Sequence, residues 1–263
     1  MAKRIIAVLL SALLGLGILA GCDKGTDGQE KAVEMTVFTA PATARVFRNI
    51  PVENPADTGI SLVAARNEYE GAQIVMYSEE RVNGYDVKVS DLVCGDWIIP
   101  AENASLYNVK YIDSTGISSS YNNESLPAGS QVPDALLPFA TAVEYGENVV
   151  EAGCNQAVYV EYYIPKTAQP GIYEGTASIL AAGYEYRVPV TISVRDFTVP
   201  DVSSTQSYFA RWGREHYTSA ELGISDEKDE VYYNALLKYR MGSTLPFEGE
   251  GGTERYVQLL RKY

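Results

Sequence analysis

"AVYVEYYIPKTAQPGIYEGTASILAAGYEYRVPVTISV", residues 157–194, holds three runs rich in Val, Ile, Tyr and Thr, parted by Pro170-Gly171 and by Gly183. Apolar and polar residues alternate along much of it, the period of a half-buried strand, and the separators are residues that reverse a chain. The same grammar extends backwards through "MTVFTA" (35–40), "ISLVAA" (60–65), "AQIVMYS" (72–78), "YDVKVSDLV" (85–93) and "LYNVKYI" (106–112). Asn83-Gly84 and Pro127-Ala-Gly129 supply further turns. Eight or more short strands between residues 35 and 200 predict a mainly β fold, two antiparallel sheets packed as a β-sandwich. A chain of this length buries enough surface for a real core.

Residues 113–140, "DSTGISSSYNNESLPAGSQVPDALLPFA", break the rhythm with Ser, Asn, Gly and Pro and read as one long loop, its end "VPDALLPF" pinned against the body. After Pro200 the pattern changes. "STQSYFARWG" reads as a strand, and "SDEKDEVYYNALLKYRMG" (225–242) as a helix capped by Ser225 or Asp226 and stopped by Gly242. Its expected buried face is Tyr232, Ala235, Leu236 and Tyr239. "STLPF" then reads as a strand and "GGTERYVQLLRKY" as the start of another helix. Strand, helix and strand in that order open a βαβ unit. Residues 201–263 are therefore expected to be the truncated start of a larger domain.

The first residues point to export. Lys3 and Arg4 precede the apolar "IIAVLLSALLGLGILA", and Leu19-Ala-Gly-Cys22 has the form of a bacterial lipobox, in which Cys22 would carry lipid. Residues 1–21 are thus expected to be a lipoprotein signal peptide and 22–34 a flexible tether, leaving an extracytoplasmic body lipid-anchored to a bacterial membrane. The mature chain would hold 19 basic against 34 acidic residues, an excess that speaks against nucleic-acid partners and against adhesion to anionic lipid. Cys94 and Cys154 would be its remaining cysteines. Two buried free thiols are the expected state, with a disulfide between them as the alternative. No cofactor or metal is implied: His216 stands without metal-spaced partners, and the 113–131 loop has no ordered pattern of calcium ligands.

Glu68 and Glu70, two apart in "ARNEYEGAQIV", would share a strand face about 7 Å apart, near the separation of glycosidase carboxyl pairs. The preferred reading is structural, with Arg66 on the same face as an ion-pair partner, and a sugar contact is the minor one. The adjacent pairs Asp226-Glu227 and Asp229-Glu230 fall in the first helical turn, where they favour the macrodipole and are not placed for catalysis. The 20 tyrosines could suggest a glycan platform, but most alternate along strands and are explained by sheet packing.

"ARNEYEGAQIV", "VPDALLPF", "NQAVYVEYYIPKTAQPGIYEGTASI" and "VTISVRDFTVP", in this order, resemble the N-terminal β-sandwich of bacterial glycoside hydrolase family 123. The resemblance implies a sandwich beside a (β/α)8 barrel that removes terminal N-acetylgalactosamine. It implies an adjacent Asp-Glu pair late in the barrel: the Glu protonates the leaving oxygen, and the Asp orients the substrate's own 2-acetamido group as nucleophile. No residue of this chain matches that pair, so no catalytic residue is assigned within it and the fragment is expected to be inactive. Trp212, Arg214, Glu215 and His216 would follow the first barrel strand and are the substrate-contact candidates, though a packed tryptophan beside a surface ion pair is the plainer account of them. The reading from sequence is the N-terminal part of a glycosidase acting on N-acetylhexosamine-containing glycans. Its alternative is a non-catalytic surface lipoprotein whose sandwich binds glycan or protein.

Overall fold

A computed structural model describes residues 33–52, 55, 57–114, 129–204, 226–242 and 251–261. Eleven strands lie among them: β1 (Thr36–Pro41), β2 (Ile60–Arg66), β3 (Glu68–Ser78), β4 (Tyr85–Val89), β5 (Leu92–Cys94), β6 (Trp97–Ile99), β7 (Ala104–Asp113), β8 (Gln131–Pro138), β9 (Cys154–Ile164), β10 (Gly171–Ala181) and β11 (Tyr184–Thr198). They form a five-stranded sheet, β1-β3-β9-β7-β8, and a second in the order β2-β11-β10-β5-β6, with β4 also on β10. The β10–β11 hairpin turns at Ala182-Gly183, both with positive φ, the backbone that glycine adopts without steric cost.

The expectation of antiparallel sheets holds for the first sheet and needs one amendment in the second. There β2 runs parallel to β11, Ile60 to Ala64 facing Val190 to Val194. The reason lies at Asn67, the single residue between β2 and β3, whose φ of 63° carries the chain from one sheet into the other. Two runs that read as successive strands thus fall in different sheets.

Inward-facing residues of the two sheets fill one core. Ile74, Met76, Val158, Val160, Tyr162 and Ile164 come from the first sheet; Tyr173, Ala177, Ile179, Val188, Val190 and Ile192 come from the second. Burying each large aliphatic side chain stabilises the fold by roughly 1.5–3 kcal/mol. At one end the core is polar: Gln156 Nε2 donates to Asn108 Oδ1 (2.9 Å) and to the Val109 carbonyl (3.0 Å), and the Tyr85 hydroxyl also donates to Asn108.

The segment read as one long loop is structured past Gly129. "QVPDALLP" is the edge strand β8, where its prolines are tolerated, and Phe139–Glu144 form the short helix α1. Cys94 and Cys154 are both free and half-buried, at strand ends in opposite sheets. After the sandwich come helices α2 (Asp226–Lys238) and α3 (Gly252–Leu260), linked by Arg255 to Glu230 at 3.5 Å. The buried residues of α2 are Tyr233 and Leu236, with Leu237 and Met241 against them, while Ala235 and Tyr239 are exposed, so the apolar face is turned from the expected one. Apart from Ser204, the strands expected at 204–213 and 243–247, and the side chain of Tyr232, lie outside the described residues.

Candidate functional site

Because Val158, Val160 and Tyr162 point into the core, the alternate residues Tyr159, Glu161 and Tyr163 of β9 face outward from the first sheet. Cross-strand register places them in three rows: Tyr69 beside Tyr163; Gly71, Glu161 and Ser105; and Gln73, Tyr159 and Tyr107. The middle row is small on both sides of its one carboxylate. The outer face therefore carries a trough, with tyrosine walls and Glu161 on its floor.

The end of α2 occupies that trough. Lys238 Nζ lies 2.7 Å from Glu161 Oε2, 4.4 Å from the centroid of the Tyr69 ring and 4.9 Å from that of Tyr239. The Tyr239 hydroxyl donates to Glu161 Oε1, and its ring meets Tyr69 edge-on at 5.6 Å. Lys238 also sits where the carboxyl end of a helix favours a cation. Glu161 is 4% exposed, so its charge is tolerated through these two donors. Burial pulls the Lys238 ammonium down, but the hydrogen bonds to Glu161 and Tyr239 outweigh it and hold the net value above the usual lysine range. Burial first, then the bond to Glu161, pushes the Tyr239 phenol up to about 12.

Beside the trough stands Asn67, 5% exposed, with every polar group engaged. Its N–H donates to the Ile164 carbonyl (2.6 Å), and its Nδ2 to the Val199 carbonyl (2.8 Å) and Asp201 (3.0 Å). Its Oδ1 accepts from the Tyr163 hydroxyl (2.9 Å), and its carbonyl accepts from Arg240 Nη2 (2.5 Å). Arg240 Nε donates to the Pro200 carbonyl (2.6 Å), and Lys166 holds Asp201 at 2.7 Å. Hydrogen bonds from Lys166, then from Asn67, keep the Asp201 carboxyl below its ordinary value.

The two carboxylates singled out in the sequence play no part in this. Glu68 and Glu70 share a face with Ala72 and Ile74, opposite to the trough, and the residue between them, Tyr69, joins it instead. Glu68 Oε2 accepts from the Ala65 N–H at 2.6 Å. Glu70 is held above its usual value by burial and then by the charge of Glu68. Arg66 turns to the second sheet, meeting Asp196 (3.2 Å) and Thr198 (3.0 Å) on β11, because Asn67 separates its strand from theirs. Among the described residues no three His, Cys, Asp or Glu side chains converge for a metal. Trp212, Arg214, Glu215, His216 and Cys22 lie outside the described residues. Sequence reasoning missed Glu161, Lys238, Arg240 and Asn67 as a group. The available signals were one charge inside "VYVEYYI" and an asparagine, a poor strand former that tolerates left-handed backbone, between two apolar runs.

Residues 44–181, more than half of the chain, match the glycoside hydrolase 123 N-terminal domain. The chain belongs to that family. Among solved structures, this family 123 sandwich is similar to a family 123 glycoside hydrolase from Clostridium perfringens studied for glycolipid glycan hydrolysis, at 15% identity and a TM-score of 0.57. The likeness covers 80% of this chain and 36% of that enzyme, so the chain spans little more than a third of its length. The CooA pilin subunit of enterotoxigenic Escherichia coli also matches, at 12% identity over 61% of this chain and 99% of that one, but with a TM-score of 0.28 it bears on neither fold nor function. None of the curated proteins matches. Within the family 123 domain, β3, β9 and β10 all fall in the matched span, whereas β11 and α2 lie beyond it.

Proposed function

We propose that the chain is the N-terminal part of an extracytoplasmic, lipid-anchored glycoside hydrolase of the N-acetyl-β-galactosaminidase type. Family membership over residues 44–181 carries this reading. The sandwich is a non-catalytic scaffold: Glu161, its one buried carboxylate among the described residues, is engaged on both oxygens by Lys238 and Tyr239. The chemistry belongs to a (β/α)8 barrel whose opening strand, helix and strand fall in residues 201–263, with α2 as the first helix. Support comes from the likeness to the Clostridium enzyme, which covers more of the chain than the sandwich alone accounts for. Hydrolysis is of the substrate-assisted retaining kind, with the Asp-Glu dyad in the part of the barrel beyond these residues. Trp212, Arg214, Glu215 and His216, at the end of the first barrel strand, are its substrate contacts in this chain. The substrate is a glycan ending in an N-acetylhexosamine, and Cys22 holds the enzyme to the membrane through lipid.

The test is hydrolysis of a chromogenic N-acetyl-β-galactosaminide by this chain and by the same gene read to its natural stop. Activity in the longer form alone supports the reading. Activity in this chain by itself overturns the placement of the chemistry, and activity in neither overturns the assigned sugar. Fatty-acid labelling that disappears in Cys22→Ser supports the anchor, and labelling that persists rejects it.

A further inference from the structure

Two non-glycine residues in left-handed backbone meet at the end of α2. Asn67 has φ 63° and Arg240 φ 57°. Arg240 occupies the position after the helix where glycine is usual: its N–H reaches the Leu237 carbonyl (2.9 Å), and the Met241 N–H reaches Leu236 (2.9 Å), the paired bonds of a Schellman cap. An arginine there strains the backbone, and strained residues persist where their surroundings over-determine them. Here the surroundings are two carbonyls, of Asn67 and Pro200, that only a long side chain can reach.

We infer that the trough and the Asn67 corner form a joint, an interaction surface on the sandwich whose partner is the end of this chain's own α2. The joint sets the direction in which the polypeptide leaves the sandwich. Three consecutive residues supply donors, Lys238 and Tyr239 to the two oxygens of Glu161 and Arg240 to the two carbonyls. The chain reaches the corner twice, first as the exit Val199–Asp201 held by the Asn67 amide, then as the helix end held by the Asn67 carbonyl. The exit from the sandwich and the end of α2 are thus held at the same corner. A helix of 13 residues is marginal alone in water, so it relies on tertiary contacts, this docking among them. None of this requires the enzymatic reading above.

Hydrogen exchange of the full chain tests it, comparing amides of 226–242 with those of 171–194 in Arg240→Gly and Glu161→Gln. The glycine variant is diagnostic because it improves the local cap while removing the clamp. The joint predicts exchange in α2 at least ten-fold faster in both variants, with β10 and β11 unchanged. Equal or slower exchange of α2 in Arg240→Gly means that the helix is held locally, and overturns the joint. Should Glu161→Gln disturb the sandwich itself, Arg240→Gly, which removes no contact within the sandwich, decides alone.

Discussion

The guanidinium of Arg240 donates to the main-chain carbonyl of Asn67 at 2.5 Å, across 173 residues of sequence, and both residues have positive φ. Such a backbone is nearly free for glycine, tolerable for asparagine and costly for alanine. Asn67→Gly and Asn67→Ala lose the same side-chain bonds but differ in this cost. Asn67→Ala is therefore expected to be about 1 kcal/mol less stable than Asn67→Gly in urea titrations. Equal stabilities would mean that the corner relaxes out of its left-handed conformation.

Alkaline pH should loosen the docking of α2. Lys238 and Tyr239 both bind their protons more tightly folded than unfolded. The stability they contribute is complete below their unfolded values, near pH 10, and fades as pH rises toward about 12, the folded value of Tyr239. Burial of Tyr85 and Tyr111 also raises their phenols, giving a background shared by all forms. Stability measured from pH 8 to 11 is expected to fall less steeply in Glu161→Gln than in the parent, and parallel curves would remove Glu161 from the account.

Gly71 makes room for the Tyr159 side chain. A Cβ there would lie 2.5 Å from the Tyr159 hydroxyl and 2.9 Å from the Val160 carbonyl. Gly71→Ala is expected to destabilise the sandwich by about 1–3 kcal/mol, the usual scale of overpacking. Adding Tyr159→Leu should recover only part of that loss, since the backbone carbonyl remains, and full recovery in denaturant titrations would show that the side chain alone was in the way.

Glu70 is a carboxyl that resists ionisation, through burial and then through Glu68. A raised value in the folded state favours folding at low pH, and that contribution is lost as pH rises through it. Glu70→Gln should therefore stabilise the protein at pH 7, by less than about 1 kcal/mol for so solvated a group, and have less effect at pH 4. A loss of stability at pH 7 would mean that the carboxylate makes a bond worth more than its desolvation.

Strands with clear punctuation were legible to the residue. Pro170-Gly171 and Gly183 bound β10 at Gly171–Ala181 in the sequence and in the structure alike. Elements without local signals were not. Trp97–Ile99 is only three residues long, and β8 carries Pro133 and Pro138, which argue against a strand until an edge position excuses them. Alternation along "VYVEYYI" shows that Glu161 leaves the core, but its pairing with Lys238, 77 residues later, is a tertiary choice that no window contains. The left-handed turn at Asn67 is of the same kind. Asparagine permits it, while Ile164, Val199 and Arg240 impose it.

The parallel pairing of β2 with β11 governs how the sandwich comes into being. Its first strand in the second sheet waits for its last, so that sheet cannot be completed until nearly the whole domain has been synthesised. Closing so long a loop before any contact rewards it makes for slow, all-or-none acquisition of structure. The nascent N-terminal half must remain unpaired at one edge meanwhile, a period of exposure to misassociation. Sealing comes with the residues that run directly into Val199–Asp201, so the corner that receives the next segment is finished just as that segment emerges.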